Sequence, residues 1–174
     1  ILTRMTNSTS QTSLILSARR TGLLLSCINL FVFSGLGQEI SRNLAYVTRA
    51  DSILTLDVYE PKKKQSDAPL ILFAHGGGFS RGSKDAPKNV AFCEALANMG
   101  FQVVSVNYRL RQKSQGFHCD VSIEDKRAAI RMAAEDIVSA LDFMLSDLGN
   151  GAILSGSSAG AEAALFAAFH LHSP

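Results

Sequence analysis

The chain has 174 residues, of which 47% are apolar and 18% charged, proportions that are typical of one soluble globular domain. Its 17 basic and 15 acidic residues nearly cancel and it has no Trp, so no basic, aromatic-rich face indicates nucleic acid as a partner. Three Cys without a C-x-x-C pair exclude a disulfide scaffold and a structural zinc site, and we expect neither a metal nor a cofactor.

The beginning of the chain has the pattern of an export signal. Arg19 and Arg20 precede eleven mostly apolar residues, 23–33, and a run of small residues ends at Gly37 before Gln38. This order of basic, apolar and small residues is that of a secretory signal peptide. A helix of this length spans only about 16 Å, whereas a hydrocarbon core measures about 30 Å, so no stable membrane insertion is expected after cleavage.

Cleavage near Gly37 and Gln38 would divide the chain into an extension with a signal peptide, residues 1–37, and a folded part, residues 38–174. The mature protein is then expected to be secreted or periplasmic. A short membrane anchor and a lipid on Cys27 are competing interpretations of the same segment. The lipid is disfavoured because the apolar run continues beyond Cys27, where a lipoprotein signal would end.

The folded part shows strands and helices in alternation. Apolar alternation or apolar runs predict five strands, at residues 43–48, 53–59, 70–74, 102–106 and 152–154. Helical spacing, capping residues and Ala-rich composition predict three helices, over residues 91–99, 122–148 and 158–169. The first two strands form a predicted hairpin, and the alternation that follows predicts parallel pairing in a three-layer α/β sandwich.

A glycine-rich loop follows the predicted strand at 70–74. Residues 75–78 are His-Gly-Gly-Gly, at the carboxyl end of a buried strand, where reactive groups lie in such sheets. In acyl transfer, backbone N–H groups in this position stabilise the oxyanion of the tetrahedral intermediate. A phosphate-binding loop would continue with Gly-Lys-Ser or Gly-Lys-Thr, but here Phe79 follows Gly78, so that alternative is disfavoured. A flexible turn stays open.

A second glycine-rich loop joins the strand at 152–154 to the last helix. Residues 156–160 are Gly-Ser-Ser-Ala-Gly, a G-x-S-x-G pattern in the strand–turn–helix context that indicates a serine nucleophile. Gly156 and Gly160 would permit the close contacts of a strained turn, and Ser158 would present its hydroxyl at a helix N-terminus. For this pentapeptide alone, close packing of small residues is the competing interpretation.

Taken together, the two loops, about 80 residues apart, resemble those of the α/β-hydrolase serine esterases. The resemblance is to the hormone-sensitive-lipase and carboxylesterase-like branch, which includes secreted bacterial polysaccharide deacetylases and feruloyl esterases. Residues 56–61 (Leu-Asp-Val-Tyr-Glu-Pro) and 106–110 (Val-Asn-Tyr-Arg-Leu) support the resemblance, which covers about residues 44–170. It implies a small-molecule or carbohydrate-linked ester as substrate, cleaved through an acyl-enzyme on Ser158, and leaves the oligomeric state open.

The resemblance also implies roles for the residues of both motifs. Ser158 is the expected nucleophile. The expected oxyanion hole consists of the backbone N–H groups of Gly76, Gly77 and Ala159. The supporting residues are His75, Gly78, Gly156 and Gly160. His75 is expected to be structural and not the catalytic base.

A catalytic acid and His should follow the nucleophile in this family. Only 16 residues follow Ser158, and their candidates are Glu162, His170 and His172. His170 would lie about 18 Å along the helix from Ser158, and Glu162 has no His to orient. We therefore expect the chain to be the amino-terminal part of a longer esterase, truncated after the elbow helix, with little turnover of its own and an exposed sheet edge.

Two other functions stay open. A non-catalytic binding protein or an inactive relative would keep the scaffold, although the joint presence of both loops argues against it. A peptidase or amidase of the same fold is not excluded. Among the remaining residues, a disulfide between Cys93 and Cys119 is a hypothesis for an exported protein. The run 118–120 (His-Cys-Asp) is interpreted as loop packing because no second ligand cluster accompanies it.

Overall fold

The computed structural model describes residues 38–50, 52–111, 118–144 and 151–171. The predicted signal peptide and His172 lie outside these residues. Within them the elements, in chain order, are β1 (Ile40–Arg49), β2 (Ser52–Tyr59), β3 (Leu70–Ala74), α1 (Pro87–Asn98), β4 (Val103–Val106), α2 (Ile123–Met144), β5 (Ala152–Gly156), α3 (Ala159–Phe166) and a π-helical turn (Ala167–Leu171). All the predicted strands and helices are present.

The strands form one mixed sheet in the order β1-β2-β4-β3-β5. β1 and β2 are an antiparallel hairpin, as predicted, and β2 is also antiparallel to β4. β3 lies between β4 and β5 and is parallel to both. Parallel strands need a helical crossover, so α1 connects β3 to β4 and α2 connects β4 to β5. The predicted α/β class is therefore confirmed.

The side chains of β3 show why helices cover both faces of the sheet. Leu70, Leu72 and Ala74 pack in a buried cluster with α2 and α3, whereas Ile71 and Phe73 pack on the opposite face with residues of α1. Successive strand residues point to opposite faces, so a strand that is apolar at every position is buried on both. The result is the predicted three-layer sandwich.

Two predicted helix boundaries differ from the structure. α1 begins at Pro87 and not at residue 91, because proline at the first helical position has a suitable φ angle and needs no N–H partner. The last helix changes to a π-helical turn at Ala167 instead of continuing as an α-helix to residue 169. The predicted cap of α2 is confirmed, since the Ser122 hydroxyl accepts the Asp125 N–H at 3.1 Å.

The disulfide hypothesis is wrong for the described structure. Both Cys93 and Cys119 are free thiols. Cys93 is fully buried on α1 against the sheet, where burial raises the pKa of its thiol to about 11, while Cys119 is exposed. The pairing hypothesis overlooked that Cys93 belongs to the apolar face of its helix.

β5 lies at one edge of the sheet and, among the described residues, pairs only with β3. Ile153 on β5 and Leu165 on α3 are 47% and 62% exposed. A groove of about 460 Å³ runs along this edge and includes Leu141 and Leu154 in its lining. This agrees with the expected exposed sheet edge. In the part of the chain that the structure describes, no helix is long and apolar enough to cross a bilayer.

Candidate active site

Ser158 occupies a sharp turn between β5 and α3. Its φ and ψ angles are 51° and −120°, a conformation that L-residues other than glycine rarely adopt. Such strain persists only where the surrounding structure holds it, and it is concentrated at functional sites. The side chain is exposed and stands at the N-cap of α3 without capping it. The hydroxyl is therefore available to a substrate.

Close backbone contacts explain the glycines on either side of the turn. A methyl group at Gly156 would overlap the backbone of Gly160, and one at Gly160 would overlap the carbonyl groups of Ala74 and His75. The Ser157 N–H donates to the Ala74 carbonyl at 3.0 Å. The turn is thus packed directly against the end of β3, which is where the other glycine-rich loop begins.

The two predicted loops therefore meet at one end of the sheet. The Cα of Gly76 lies so close to Ser157 that a methyl group there would be 2.8 Å from its carbonyl oxygen. Among the described residues, no group accepts a hydrogen bond from the N–H of Gly76 or Gly77. Ala159 is the first residue of α3, and the first N–H groups of a helix have no partner within it.

The glycine loop is closed on itself by backbone contacts. The Gly77 carbonyl accepts the N–H groups of Ser80 (3.3 Å) and Arg81 (3.2 Å). Gly77 has a φ of 138°, and a side chain there would overlap the Arg81 carbonyl. Gly78, with a φ of 61°, forms the apex. Three successive glycines allow this path because no Cβ obstructs either the left-handed conformations or the close contacts.

His75 is buried beneath the loop and is 1% exposed. Its Nδ1–H donates to the Gly76 carbonyl at 2.8 Å and its ring stacks on that of Tyr108, with centroids 4.5 Å apart. The Tyr108 hydroxyl donates to the His75 carbonyl at 2.6 Å. Burial lowers the pKa of His75 below its usual value, so the ring is neutral at pH 7. These contacts fit a structural role.

A buried polar network that the sequence analysis missed lies beside this loop. Lys84 and Asp57 are both fully buried, and the Lys84 ammonium donates to Asp57 Oδ1 at 2.7 Å. It also donates to Asn43 Oδ1 (2.8 Å) and Asp85 Oδ1 (2.9 Å). The hydrogen bond from Lys84 lowers the pKa of Asp85. Arg42 lies 3.3 Å from the second oxygen of Asp57.

A second missed network holds the segment that carries Tyr108. Asp136 of α2 is fully buried and accepts the backbone N–H of Arg109 at 2.9 Å and its Nε at 2.8 Å. Arg49 of β1 contacts the same carboxylate at 3.2 Å. The hydrogen bonds with Asp136 raise the pKa of Arg109. Nothing in the local sequence pattern indicates the partners of Asp136, so the sequence did not predict this network.

Neither of the other described candidates pairs its side chain with Ser158, and Glu162 contacts it only through its backbone N–H, which donates to the Ser158 carbonyl at 3.1 Å. His170 lies in the π-helical turn, at the opposite end of the last helix from Ser158, and its ring contacts that of Phe166 at a tilt of 37° with centroids 4.6 Å apart. Glu162 lines a groove with His170, on the side of α3 that faces Ile130. Among the described residues, no group of three or more His, Cys, Asp or Glu is placed to hold a metal ion.

Comparison with known proteins finds esterases among the relatives of this chain. A family model described as BD-FAE matches residues 56–173. Gut esterase 1 of Caenorhabditis briggsae is 30% identical over 100 residues, which are 58% of this chain and 17% of that protein. Esterase LipI of Mycobacterium tuberculosis is 35% identical over 103 residues, 59% of this chain and 30% of that protein.

The fold is similar to that of solved esterases. A hyperthermophilic esterase from Pyrobaculum calidifontis superposes with a TM-score of 0.55 at 26% identity, over 75% of this chain and 39% of the other. The chain thus spans less than a third of the length of the curated relatives above and about two fifths of this structure. The region shared with the family model contains both glycine-rich loops.

Proposed function

Because the chain belongs to the BD-FAE family, which confirms its resemblance to carboxylesterase-like α/β-hydrolases, we propose that the protein hydrolyses carboxylic esters through an acyl-enzyme on Ser158. The observation that carries the proposal is the strained, exposed Ser158 in a turn that packs through Ser157 against the glycine loop, where the N–H groups of Gly76 and Gly77 have no partner among the described residues. The esterases among its relatives support the reaction class.

In the proposed reaction, Ser158 Oγ attacks the ester carbonyl carbon and its proton passes to a base. The oxyanion that forms accepts hydrogen bonds from the N–H groups of Gly76, Gly77 and Ala159, which point at the charge that develops in the transition state. The bond to the alcohol oxygen then breaks, and the alcohol leaves with the proton. Water hydrolyses the acyl-enzyme, releases the acid and restores the serine hydroxyl.

Neither His75 nor His170 is placed to act as this base. His75 is buried under the glycine loop with its Nδ1–H on Gly76, and His170 lies at the far end of the last helix. The substrate in the proposal is a small-molecule or carbohydrate-linked ester. We also propose that the protein is exported. This predicts that the secreted product begins near Gln38.

Two neighbouring serines provide the test. In the intact protein, Ser158→Ala should lower kcat for p-nitrophenyl acetate by at least about 1000-fold, because the nucleophile is lost. Ser157→Ala, in the same turn, should leave kcat within about twofold, since Ser157 has no role in the proposed reaction. An organophosphate ester should label wild-type Ser158 and be found on its peptide by mass spectrometry.

The outcomes separate the functions that the sequence left open. Full activity in Ser158→Ala would contradict the acyl-enzyme. A wild-type protein that hydrolyses no ester would favour the non-catalytic binding protein. Faster cleavage of dipeptide amides than of esters would favour a peptidase or amidase.

A further inference from the structure

The buried charges beside the glycine loop have no role in the reaction described so far. Asp57 lies on β2 and Lys84 lies nine residues beyond the start of the loop, and neither side chain has measurable exposure. Removing one partner of such a pair leaves an uncompensated buried charge, yet replacing both by apolar residues is often neutral or stabilising. Stability alone therefore does not explain why the pair is ionic. What distinguishes the ionic pair from an apolar one is that its hydrogen bonds hold the Lys84 side chain in one fixed position.

Three hydrogen bonds converge on one atom of Lys84. Its Nζ donates to oxygens of Asn43, Asp57 and Asp85 at 2.7 to 2.9 Å, which uses all three N–H groups of an ammonium. The Lys84 backbone N–H also donates to Asn107 Oδ1 at 2.8 Å. The residue is thus held from both β1 and β2 and from the segment after β4.

The hairpin is shaped to complete this arrangement. Asn43 has a φ of 57° at an irregularity in the pairing of β1 with β2. The irregularity brings its side-chain oxygen to Lys84 and its backbone N–H to Asp57 Oδ1, at 2.7 Å. Bulges of this kind re-aim side chains and are frequent beside functional sites.

Gly82 connects the anchored residue to the glycine loop. It lies two residues before Lys84, and a methyl group on it would overlap the Gly76 carbonyl oxygen and lie 2.6 Å from His75 Nδ1. The Gly76 carbonyl and the Gly77 N–H belong to one planar peptide group. Gly82 is packed against the Gly76 carbonyl. An interaction that holds Gly82 there therefore also fixes the direction of the Gly77 N–H, which is on the other side of the same peptide plane.

We propose that Lys84 is a positioning residue for the Gly77 oxyanion donor and that Asp57 is its anchor on the sheet. The inference rests on the proposed esterase function, because only a developing oxyanion requires that donor to be aligned. A misplacement of a catalytic group by about 1 Å can cost about 100-fold in rate. The effect should fall on kcat and spare KM, since the oxyanion is present in the transition state and not in the bound ester.

The test compares Lys84→Met with Met144→Ala in the intact protein. Lys84→Met keeps most of the unbranched side chain and removes the charge, and it should lower kcat for p-nitrophenyl acetate about 100-fold with KM within about threefold of wild type. Met144 is buried at the C-terminal end of α2, from which the chain continues to the start of β5. This end of the helix is away from the elbow and the glycine loop. Met144→Ala should lower the urea midpoint and leave kcat unchanged at temperatures where the protein is folded.

Hydrogen exchange measures the anchoring without any turnover. The N–H groups of Ser80, Arg81 and Lys84 are hydrogen-bonded within this region, and Lys84→Met should speed their exchange at least about tenfold. The N–H of Ser157, which is bonded to Ala74 in the elbow, should exchange as in wild type. If Lys84→Met does not fold, Asp57→Asn replaces it in both measurements, because it keeps the shape of the side chain and removes only the charge.

The two hypotheses fail in different ways. A wild-type protein without esterase activity overturns the proposed function, while the exchange rates still decide whether Lys84 holds the loop. An active wild type whose Lys84→Met variant keeps its kcat overturns the positioning role and leaves the esterase function intact. Equal loss of kcat in Lys84→Met and Met144→Ala would show a general effect of stability and would also overturn it.

Discussion

The elbow and the glycine loop meet at the same end of the sheet, but they are held by different kinds of interaction. The elbow is held by backbone packing, with Gly156 against Gly160 and Gly160 against the end of β3. The glycine loop has backbone contacts of its own but is also held by side chains, through His75 on Tyr108 and through Lys84 on Asp57. The elbow should therefore respond to added volume alone, whereas the glycine loop should respond to changes of charge as well.

The two loops are held differently because they expose different groups to a substrate. The elbow presents a side chain, whose direction follows from the backbone angles of one residue, Ser158. The loop presents backbone N–H groups, and their direction depends on a whole peptide plane that glycines leave free to rotate. Side chains from elsewhere in the fold are needed to restrict that rotation.

The largest effect is expected from Gly160→Ala. Alanine favours a helix over glycine by about 1 kcal/mol, so without close contacts this change would stabilise α3. The added methyl group instead overlaps two carbonyl groups of the chain at Ala74 and His75, and we expect a loss of about 3 kcal/mol in the free energy of unfolding. Urea unfolding measures it.

Gly151→Ala is the matched control for this change. A methyl group at Gly151 meets nothing within 4 Å, and its only strain comes from a φ of 77°. We expect a loss of about 1 kcal/mol there. A Gly160→Ala variant as stable as wild type would mean that the elbow tolerates added volume, and the contrast between the two loops would be lost.

A smaller effect of opposite sign is expected at the nucleophile itself. Ser158→Gly removes the strain of a side chain at a φ of 51°, and it should raise the free energy of unfolding by about 1 kcal/mol. Ser158→Ala keeps a Cβ at the same angles and should show no such gain. Urea midpoints of the two variants measured side by side give the answer, and equal midpoints would contradict strain at this residue.

The same difference explains which parts of the site could be predicted from sequence. The residues of the elbow are consecutive, and their spacing alone predicts a turn between a strand and a helix. The network beside the loop joins residues that are 27 and 41 positions apart, Lys84 with Asp57 and Lys84 with Asn43. No local pattern distinguishes a buried lysine from a solvated one, and this network was therefore missed.

The strands and helices of the fold could also be predicted, because they too depend on patterns of neighbouring residues. The strand β3 is apolar at all five positions, which predicts burial on both faces, and the helices around it follow from periodicity. The boundary of α1 was wrong because its start depends on Pro87 and its backbone angles, outside the apolar stripe. The Cys93 hypothesis was wrong because pairing was judged without the direction of the side chain.

The smallest predicted effect is a change in how the free energy of unfolding depends on pH. It arises at His75, beneath the glycine loop, and not at the elbow. Burial lowers the pKa of His75 in the folded protein below its usual value. As the pH falls through the usual range of a histidine, at about 6.5, the unfolded chain takes up a proton that the folded protein does not. The free energy of unfolding should therefore decrease as the pH is lowered through this window, until the pKa of His75 in the folded protein is reached.

His75→Asn should make this dependence shallower, because the asparagine amide still donates to the Gly76 carbonyl but does not titrate. The comparison is made with urea midpoints between pH 7 and pH 5, a range above the usual pKa of Asp85, whose own contribution would be lost only at lower pH. Ser158→Gly should shift the midpoint equally at every pH, since strain at the elbow involves no titratable group. A His75→Asn variant with the full dependence of the wild type would mean that the acid sensitivity arises elsewhere and that the loop is no more sensitive to charge than the elbow.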